Sequence, residues 1–373
     1  MTEVVQDLAT ELFGSREVRW YQAATRTAVV SAIRAGRRRP LIVLPTGAGK
    51  TLTIAITVAS SELRDILKIP ADRNIRVVVV AHLTRLLTQA ESTFASSEHV
   101  DLRTQSAFQA ISPETAEWAD LYIIDEAHHE AMTTIQMQLD TMGDKPIIGL
   151  TATNVRPDGL LLKFDDEIAL LSREKAVEEG WLAESSVWTI VNSQTMCGRQ
   201  ADADTVDITT RTIQQYHGIM AKTMVFMRTR SEVARLVENL TNLGLTAIGL
   251  VNQSAKQIEE ALNAYDQGQY QFIVNCAKLG EGVDCPDTTS VVIARTVGSL
   301  TQLNQIIGRS SRPSTESYVF ELVNPLHPDT LSAVDVIGIP KQHQLVYEDV
   351  DGSLLELPFD VDNYLNSTST FDM

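Results

Sequence analysis

Cysteine is scarce in this chain: Cys197, Cys276 and Cys285 are the only three, with neither CxxC spacing nor paired histidines nearby. That excludes a disulfide framework and a zinc ribbon, and leaves reduced thiols. Long hydrophobic runs are missing as well, since none approaches the roughly 18 residues needed to span a bilayer. Glu3, Asp7 and Glu11 stand where a secretory signal would be basic, so a cytoplasmic protein without membrane contact is expected. Positive charge is also in short supply, with 31 Lys and Arg against 48 Asp and Glu, a formal net charge of −17. The averaged field of such a chain repels a phosphate backbone, which excludes a generic polyanion binder and confines any nucleic-acid contact to local features.

What is present is ordinary globular material. At 373 residues and 44% hydrophobic content the chain can bury two cores, and two α/β domains are expected. Its organising stretch is Leu44-Pro45-Thr46-Gly47-Ala48-Gly49-Lys50-Thr51. A short apolar strand (41–44) precedes it and a helix (52–58) follows, the context in which a small-residue loop holds polyphosphate. Gly47 and Gly49 let backbone amides turn inward, Lys50 can reach the β and γ phosphates, and the Thr51 hydroxyl can sit on Mg²⁺. Leu44 departs from the pattern, because it occupies the place of the first glycine. The basic run Arg37-Arg38-Arg39 precedes this strand and is expected as a solvated face at the end opposite the loop.

Upstream, Arg19 and Gln22 flank Trp20 and Tyr21 at the start of a helix read over 25–34. The two polar side chains can address the edge of a base, or simply begin a helix whose aromatics pack inward. Beyond the loop, a β-branched strand (76–81) and a helix (83–94) continue the alternation. The next strand, 121–124, ends in Asp125-Glu126-Ala127-His128-His129. In a phosphate-loop ATPase the first acid would hold Mg²⁺ through its water shell and the second would deprotonate the attacking water. A solvated acidic turn is the plainer alternative, and a two-histidine metal site lacks a third ligand. Strand 146–150 runs into Thr151-Ala152-Thr153, hydroxyls that either relay the state of a γ-phosphate or cap a turn.

A looser, acidic region follows, and then a second alternating series: strands 187–191, 223–227, 246–251, 271–275 and 290–294, with helices 231–242 and 255–267. No second phosphate loop occurs, so this half completes a site instead of owning one. Gly280-Glu281-Gly282-Val283-Asp284 offers flexible backbone and a carboxylate, suited to a ribose hydroxyl or a simple turn. Gln305 to Pro313 sets Arg309 and Arg312 three apart at the end of a helix that Pro313 stops. They can clamp developing phosphoryl charge, or serve as helix C-terminal cations.

In this order the stretches resemble the motif series of superfamily 2 helicases, from about Arg19 to Pro313. The resemblance implies two tandem RecA-like domains with parallel sheets, at 1–160 and 186–330. A linker at 161–185 and a short acidic appendage at 331–373 complete the expected division. It implies ATP and Mg²⁺ as cofactors. Arg19 and Gln22 would read adenine, Thr46, Gly47, Ala48, Gly49, Lys50 and Thr51 would bind phosphate, and Thr51 and Asp125 would hold the metal. Gly282 and Asp284 would touch the nucleotide, Glu126 would be the base, and Arg309 and Arg312 would be the arginine fingers. His128, Thr151, Thr153 and Gln305 would couple the nucleotide state to movement. Arg85, Thr104, Gln105, Ser106, Arg228 and Lys278 would touch nucleic acid. The DEAHH wording and the form of residues 81–89 are similar to a compact DNA-directed DEAH-box branch, which includes phage recombination helicases of the UvsW kind and RadD-like repair proteins. A monomeric translocase or helicase acting on single-stranded or branched DNA, in a bacterial or phage-infected cell, is therefore expected. An RNA-directed helicase and a phosphate-loop ATPase or kinase without a polymer remain the alternatives. The segment 331–373 carries eight carboxylates against Lys341 alone, a net −7 of the −17. It is expected to add solubility, contact a partner protein or weaken DNA binding, with short strands at 345–347 and 354–359.

Overall fold

The computed structural model describes residues 6, 10, 17–82, 84–94, 97–128, 139, 141–153, 162–191, 199–276, 288–313, 316–323, 331–348 and 352–358. The chain divides into two compact units, Met1–Ala176 and Val177–Met373.

The first unit begins with helix α1 (Trp20–Arg34), strand β1 (Pro40–Val43) and helices α2 (Lys50–Val58) and α3 (Ser61–Ile66). Then come β2 (Ile75–Ala81), α4 (Thr84–Phe94), β3 (Val100–Ser106), α5 (Pro113–Trp118), β4 (Leu121–Ile124), β5 (Ile147–Thr151) and β6 (Asp166–Ile168), and α6 (Arg173–Glu178) runs across the boundary at Ala176. The strands form one parallel sheet in the order β3-β2-β4-β5-β1-β6. β4 and β5 are buried along their whole length, which is why both read as unbroken apolar runs. The acidic stretch read as the start of the linker contributes β6 to this sheet, and α6 lies within 161–185 too. Asp165 explains the attachment, because its carboxylate accepts the backbone amides of Arg38 and Arg39, each at 2.9 Å. Arg38 also pairs with Asp144, so the basic run at the start of β1 is exposed and partly neutralised.

The second unit holds β7 (Ser185–Val191), α7 (Arg199–Tyr216), β8 (Thr223–Met227), α8 (Arg230–Asn242), β9 (Ala247–Leu250), α9 (Ala255–Asp266) and β10 (Phe272–Asn275). β11 (Ser290–Ala294), α10 (Leu300–Ile307), β12 (Ser317–Val323), α11 (Val334–Ile337), β13 (Gln342–Glu348) and β14 (Leu354–Pro358) complete it. The sheet runs β14-β13-β7-β12-β11-β8-β10-β9, parallel except for the β13–β14 hairpin. Strand alternation divides its core: Met224, Phe226, Val291 and Ile293 pack on one face, and Val225, Met227, Val292 and Ala294 on the other. Both faces are covered, as a parallel sheet requires. The appendage is thus folded in part, and it joins the sheet through β13 against β7.

Candidate active site

In the first sheet β5 lies between β1 and β4, so the loops that leave β1 and β4 flank the end of β5. Leu44 is fully buried, and its amide donates to the Thr151 carbonyl at 3.1 Å, continuing the β1–β5 pairing. The residue in the first-glycine position therefore belongs to the sheet, and the turn starts after it. Gly47 and Gly49 take φ values of +88° and +83°, in the left-handed region that glycine tolerates. A Cβ on Gly49 would lie 2.6 Å from Gln22 Nε2. Helix α2 starts at once with Lys50, so the unpaired amides of its first turn open at the loop. The Thr46 hydroxyl is buried with no hydrogen-bond partner among the described residues.

Helix α1 closes on this loop from the other side. Arg19 is its N-cap, its amide donates to Gln22 Oε1 at 3.0 Å, and Gln22 Nε2 donates to the Ala48 carbonyl at 3.4 Å. Tyr21 reaches the same carbonyl through its hydroxyl at 2.7 Å, and Arg19 Nη1 donates to that hydroxyl at 3.0 Å. Arg19 and Gln22 therefore begin the helix, and Gln22 also faces the phosphate loop. Tyr21 packs inward as expected, whereas Trp20 is 42% exposed, set edge-on to Tyr21, with Lys175 Nζ 4.5 Å from its ring centre.

The acids follow β4. The Asp125 amide donates to the Val80 carbonyl at 3.0 Å, and the Glu126 amide donates to Asp125 Oδ1 at 2.9 Å. Glu126 has φ +50°, uncommon for a residue with a side chain and the kind of local strain that clusters at functional sites. Burial and the neighbouring Glu126 carboxylate push Asp125 up to about 6, against the pull of Lys50, the Glu126 amide and His82. His128 is buried, with Nδ1 3.3 Å from Thr151 Oγ1 and 3.4 Å from Glu126 Oε2. Thr151 Oγ1 donates to the Thr153 carbonyl at 2.7 Å and accepts the Thr153 amide at 3.2 Å. Its proton is thereby engaged, so the His128 contact is a donation from Nδ1–H. Thr151 thus closes the turn, the plainer of its two readings, and its hydroxyl also receives the histidine. Among the described residues no group of His, Cys, Asp or Glu side chains is arranged to hold a metal unaided; His129 lies outside those residues.

The other candidates are placed one by one. Thr104, Gln105 and Ser106 end β3, and each side chain makes an internal bond. Thr104 Oγ1 donates to Glu91 Oε1 at 2.6 Å, Gln105 Nε2 to the Gln109 carbonyl at 3.1 Å, and Ser106 Oγ accepts the Phe108 amide at 3.3 Å. Arg85 belongs to α4, but its side chain lies outside the described residues, as do Lys278, Gly282 and Asp284.

In the second unit Arg228 stands before α8, and its guanidinium is 3.4 Å from the buried Glu232 carboxylate. Gln305 lies in α10 and is buried, with neither amide atom bonded among the described residues. Helix α10 ends at Ile307, with Gly308 as C-cap, so Arg309 and Arg312 lie beyond its last turn. The stop comes at Gly308, ahead of Pro313. Serines hold the segment: Ser311 Oγ donates to the Ile307 carbonyl at 2.9 Å, and Ser310, Ser317 and Ser185 form a hydroxyl chain with 3.0 Å steps.

Two family models match the chain. Residues 15–115 match the type III restriction enzyme res subunit, and residues 207–314 match the helicase conserved C-terminal domain. Among curated proteins, the Saccharomyces cerevisiae protein IRC3, named as an ATP-dependent helicase, is 22% identical over 86% of this chain and 54% of its own length. The Escherichia coli type I restriction enzyme EcoAI endonuclease subunit is 24% identical over 79% of this chain and 44% of its own. The chain spans about half the length of these relatives. A fragment of a type I restriction enzyme HsdR subunit from Vibrio vulnificus shares the fold, with TM-score 0.70 and 20% identity over 94% of this chain and 72% of that one. The first unit thus carries the restriction-enzyme match and the second the helicase C-terminal match, on two parallel α/β sheets of RecA-like type.

Proposed function

We propose that the chain is an ATP-driven translocase or helicase that acts on DNA, single-stranded or branched, and that it falls in the DEAH-bearing branch of superfamily 2. The observation that carries this reading is the meeting of three loops at one sheet end: the Lys50 loop after β1, Asp125 and Glu126 after β4, and Thr151 at the end of β5. The restriction-enzyme and helicase relatives support a DNA-directed role for the same pair of domains.

The residues suit a magnesium nucleotide. A buried carboxylate raised to about 6 is an oxygen donor whose charged form a dication would favour, and the buried Thr46 hydroxyl is a polar group without a partner among the described residues. With Thr51 and Asp125 as the proposed holders, Mg²⁺ would neutralise phosphate charge. Lys50 and the amides of Gly47, Gly49, Lys50 and Thr51 bind the phosphates, and Glu126 takes the proton of the attacking water. His128 donates from Nδ1 to Thr151 and borders Glu126, so a change in the Glu126 carboxylate is felt at residues 151–153. Arg309 and Arg312 are the proposed guanidinium pair for the developing phosphoryl charge.

ATP hydrolysis measured in parallel with no polymer, single-stranded DNA, duplex, forked DNA and RNA tests the reading. Stimulation by DNA above RNA is expected. Hydrolysis indifferent to every polymer would favour a phosphate-loop ATPase or kinase, and no hydrolysis in any arm would refute the enzyme.

A further inference from the structure

We infer that Tyr21 is a positioning residue that links base recognition to the shape of the phosphate loop. The inference rests on the ATP-binding reading and adds to it a residue that does not itself touch nucleotide. Its basis is the Ala48 carbonyl, which sits between two left-handed glycines in the part of the loop that must keep its amides turned inward. Ala48 is fully buried, and its amide is already committed to the Pro45 carbonyl at 3.1 Å. Its carbonyl takes one short bond, from the Tyr21 hydroxyl at 2.7 Å, and one long bond, from Gln22 at 3.4 Å. The phenol is therefore the stronger anchor.

Both anchors lead back to Arg19. Through the side chain, Arg19 Nη1 donates to the Tyr21 oxygen, whose proton is donated onward to Ala48. Through the backbone, the Arg19 amide holds Gln22 Oε1 and so fixes which end of the amide faces Ala48. A guanidinium carries five N–H donors in a rigid plane, so Arg19 can hold Tyr21 and still offer donors to a base. A base bound there fixes the guanidinium plane, keeps Nη1–H on the phenol, and strengthens the next bond in the chain, because serial hydrogen bonds polarise one another. By reciprocity, a loop closed on phosphate favours the Arg19 arrangement that accepts the base. Tyr21 has no exposed surface, so its hydroxyl works through Arg19 and Ala48.

Tyr21→Phe removes the hydroxyl and keeps the buried ring. Arg19→Ala enters the chain from its other end and leaves the core untouched, so the test survives if the phenylalanine variant folds poorly. Binding of magnesium ATP and of magnesium tripolyphosphate, which has no base, is measured by calorimetry on the full chain for wild type, both variants and the double variant. The expected result is a roughly tenfold loss of ATP affinity in Tyr21→Phe, the scale of one buried hydrogen bond, with tripolyphosphate affinity changed less than twofold. The double variant should be no weaker for ATP than Arg19→Ala alone, the sign of one shared pathway. Turnover should show the loss mainly in KM. Equal losses for ATP and tripolyphosphate would make Tyr21 a plain loop support and overturn the inference, as would additive losses in the double variant. If wild type bound tripolyphosphate as tightly as ATP, base reading at Arg19 and Gln22 would itself fall, a separate outcome visible before any variant is made.

Discussion

Replacing Asp125 with Asn should make the nucleotide-free protein more stable while disabling it as an enzyme. The carboxylate is raised from 3.8 to about 6, first by burial and then by the Glu126 carboxylate. A raised acid favours the folded state in its neutral form, so that contribution is complete below 3.8 and lost as pH rises through about 6. At pH 8 the difference corresponds to about 3 kcal/mol, at about 1.4 kcal/mol per pH unit. Asp125 keeps some solvent-accessible surface, which makes that figure an upper value. Asparagine has the same outline, and its oxygen can still accept the Glu126 amide, so the packing around β4 is retained. The gain should fall to roughly half at pH 5, where most of the folded protein already carries a proton on Asp125. Thermal unfolding of both proteins without nucleotide at pH 8 and pH 5 measures this. For a unit of this size the pH 8 gain corresponds to an upper limit of roughly 6–12 °C in Tm. Equal or lower stability of Asp125→Asn at pH 8 would refute the description of this carboxylate as a strained, repelled group.

Glu126→Gln should keep ATP binding and lower turnover by roughly a hundredfold to ten-thousandfold, the usual range for a positioned base; near-normal turnover in a steady-state assay would remove Glu126 from that role. Arg309→Ala should reduce kcat by roughly a thousandfold with a small change in nucleotide affinity, and a loss confined to affinity would make it a binding residue. Truncation after Phe359 should tighten single-stranded DNA binding at low salt, with the gain shrinking as the Debye length falls toward about 8 Å at 0.15 M salt; equal affinities at low salt would leave the tail to solubility or a partner.

The parts of the fold that were legible are those whose burial pattern is uniform. β4, β8 and β11 are buried at every residue, and their sequence-read limits coincide with the observed strands. β3 escaped notice because only Val100 of Val100–Ser106 is buried, and an edge strand of polar residues carries no apolar signal. β12 was missed for a different reason: Glu321 interrupts its pattern yet is buried, because Thr189 Oγ1, Ser332 Oγ and the Ala333 amide all donate to it within 2.8 Å. Three donors on one carboxylate make such a position tolerable, and none of them is adjacent in sequence. The same limit applies at the site. The loop, the acids and their order could be read from local spacing, but the convergence of Tyr21 and Gln22 on Ala48 links residues 26 and 27 apart. Nothing in the stretch from Arg19 to Gln22 says which carbonyl it meets.

Charge has to be read after folding for the same reason. A net −17 describes the averaged field, whereas contact with a phosphate is decided locally, where particular carboxylates have fixed partners. Within the acidic appendage Glu348 pairs with Arg211, Glu356 accepts the Tyr216 hydroxyl at 2.6 Å, and Asp335 accepts the Ser332 amide at 2.7 Å. In the first unit Asp120 holds Arg73 through both oxygens, and Asp165 holds the turn before β1. These acids fasten a hairpin to α7, hold the chain entering α11 and secure strand ends, so part of the negative charge is structural. Asp360, Asp362 and Asp372, which carry the truncation prediction, lie outside the described residues. On the proposed function, acidity in this chain would bear on how tightly nucleic acid is held, and it would not weigh against the proposed ATP chemistry at the ends of β1, β4 and β5.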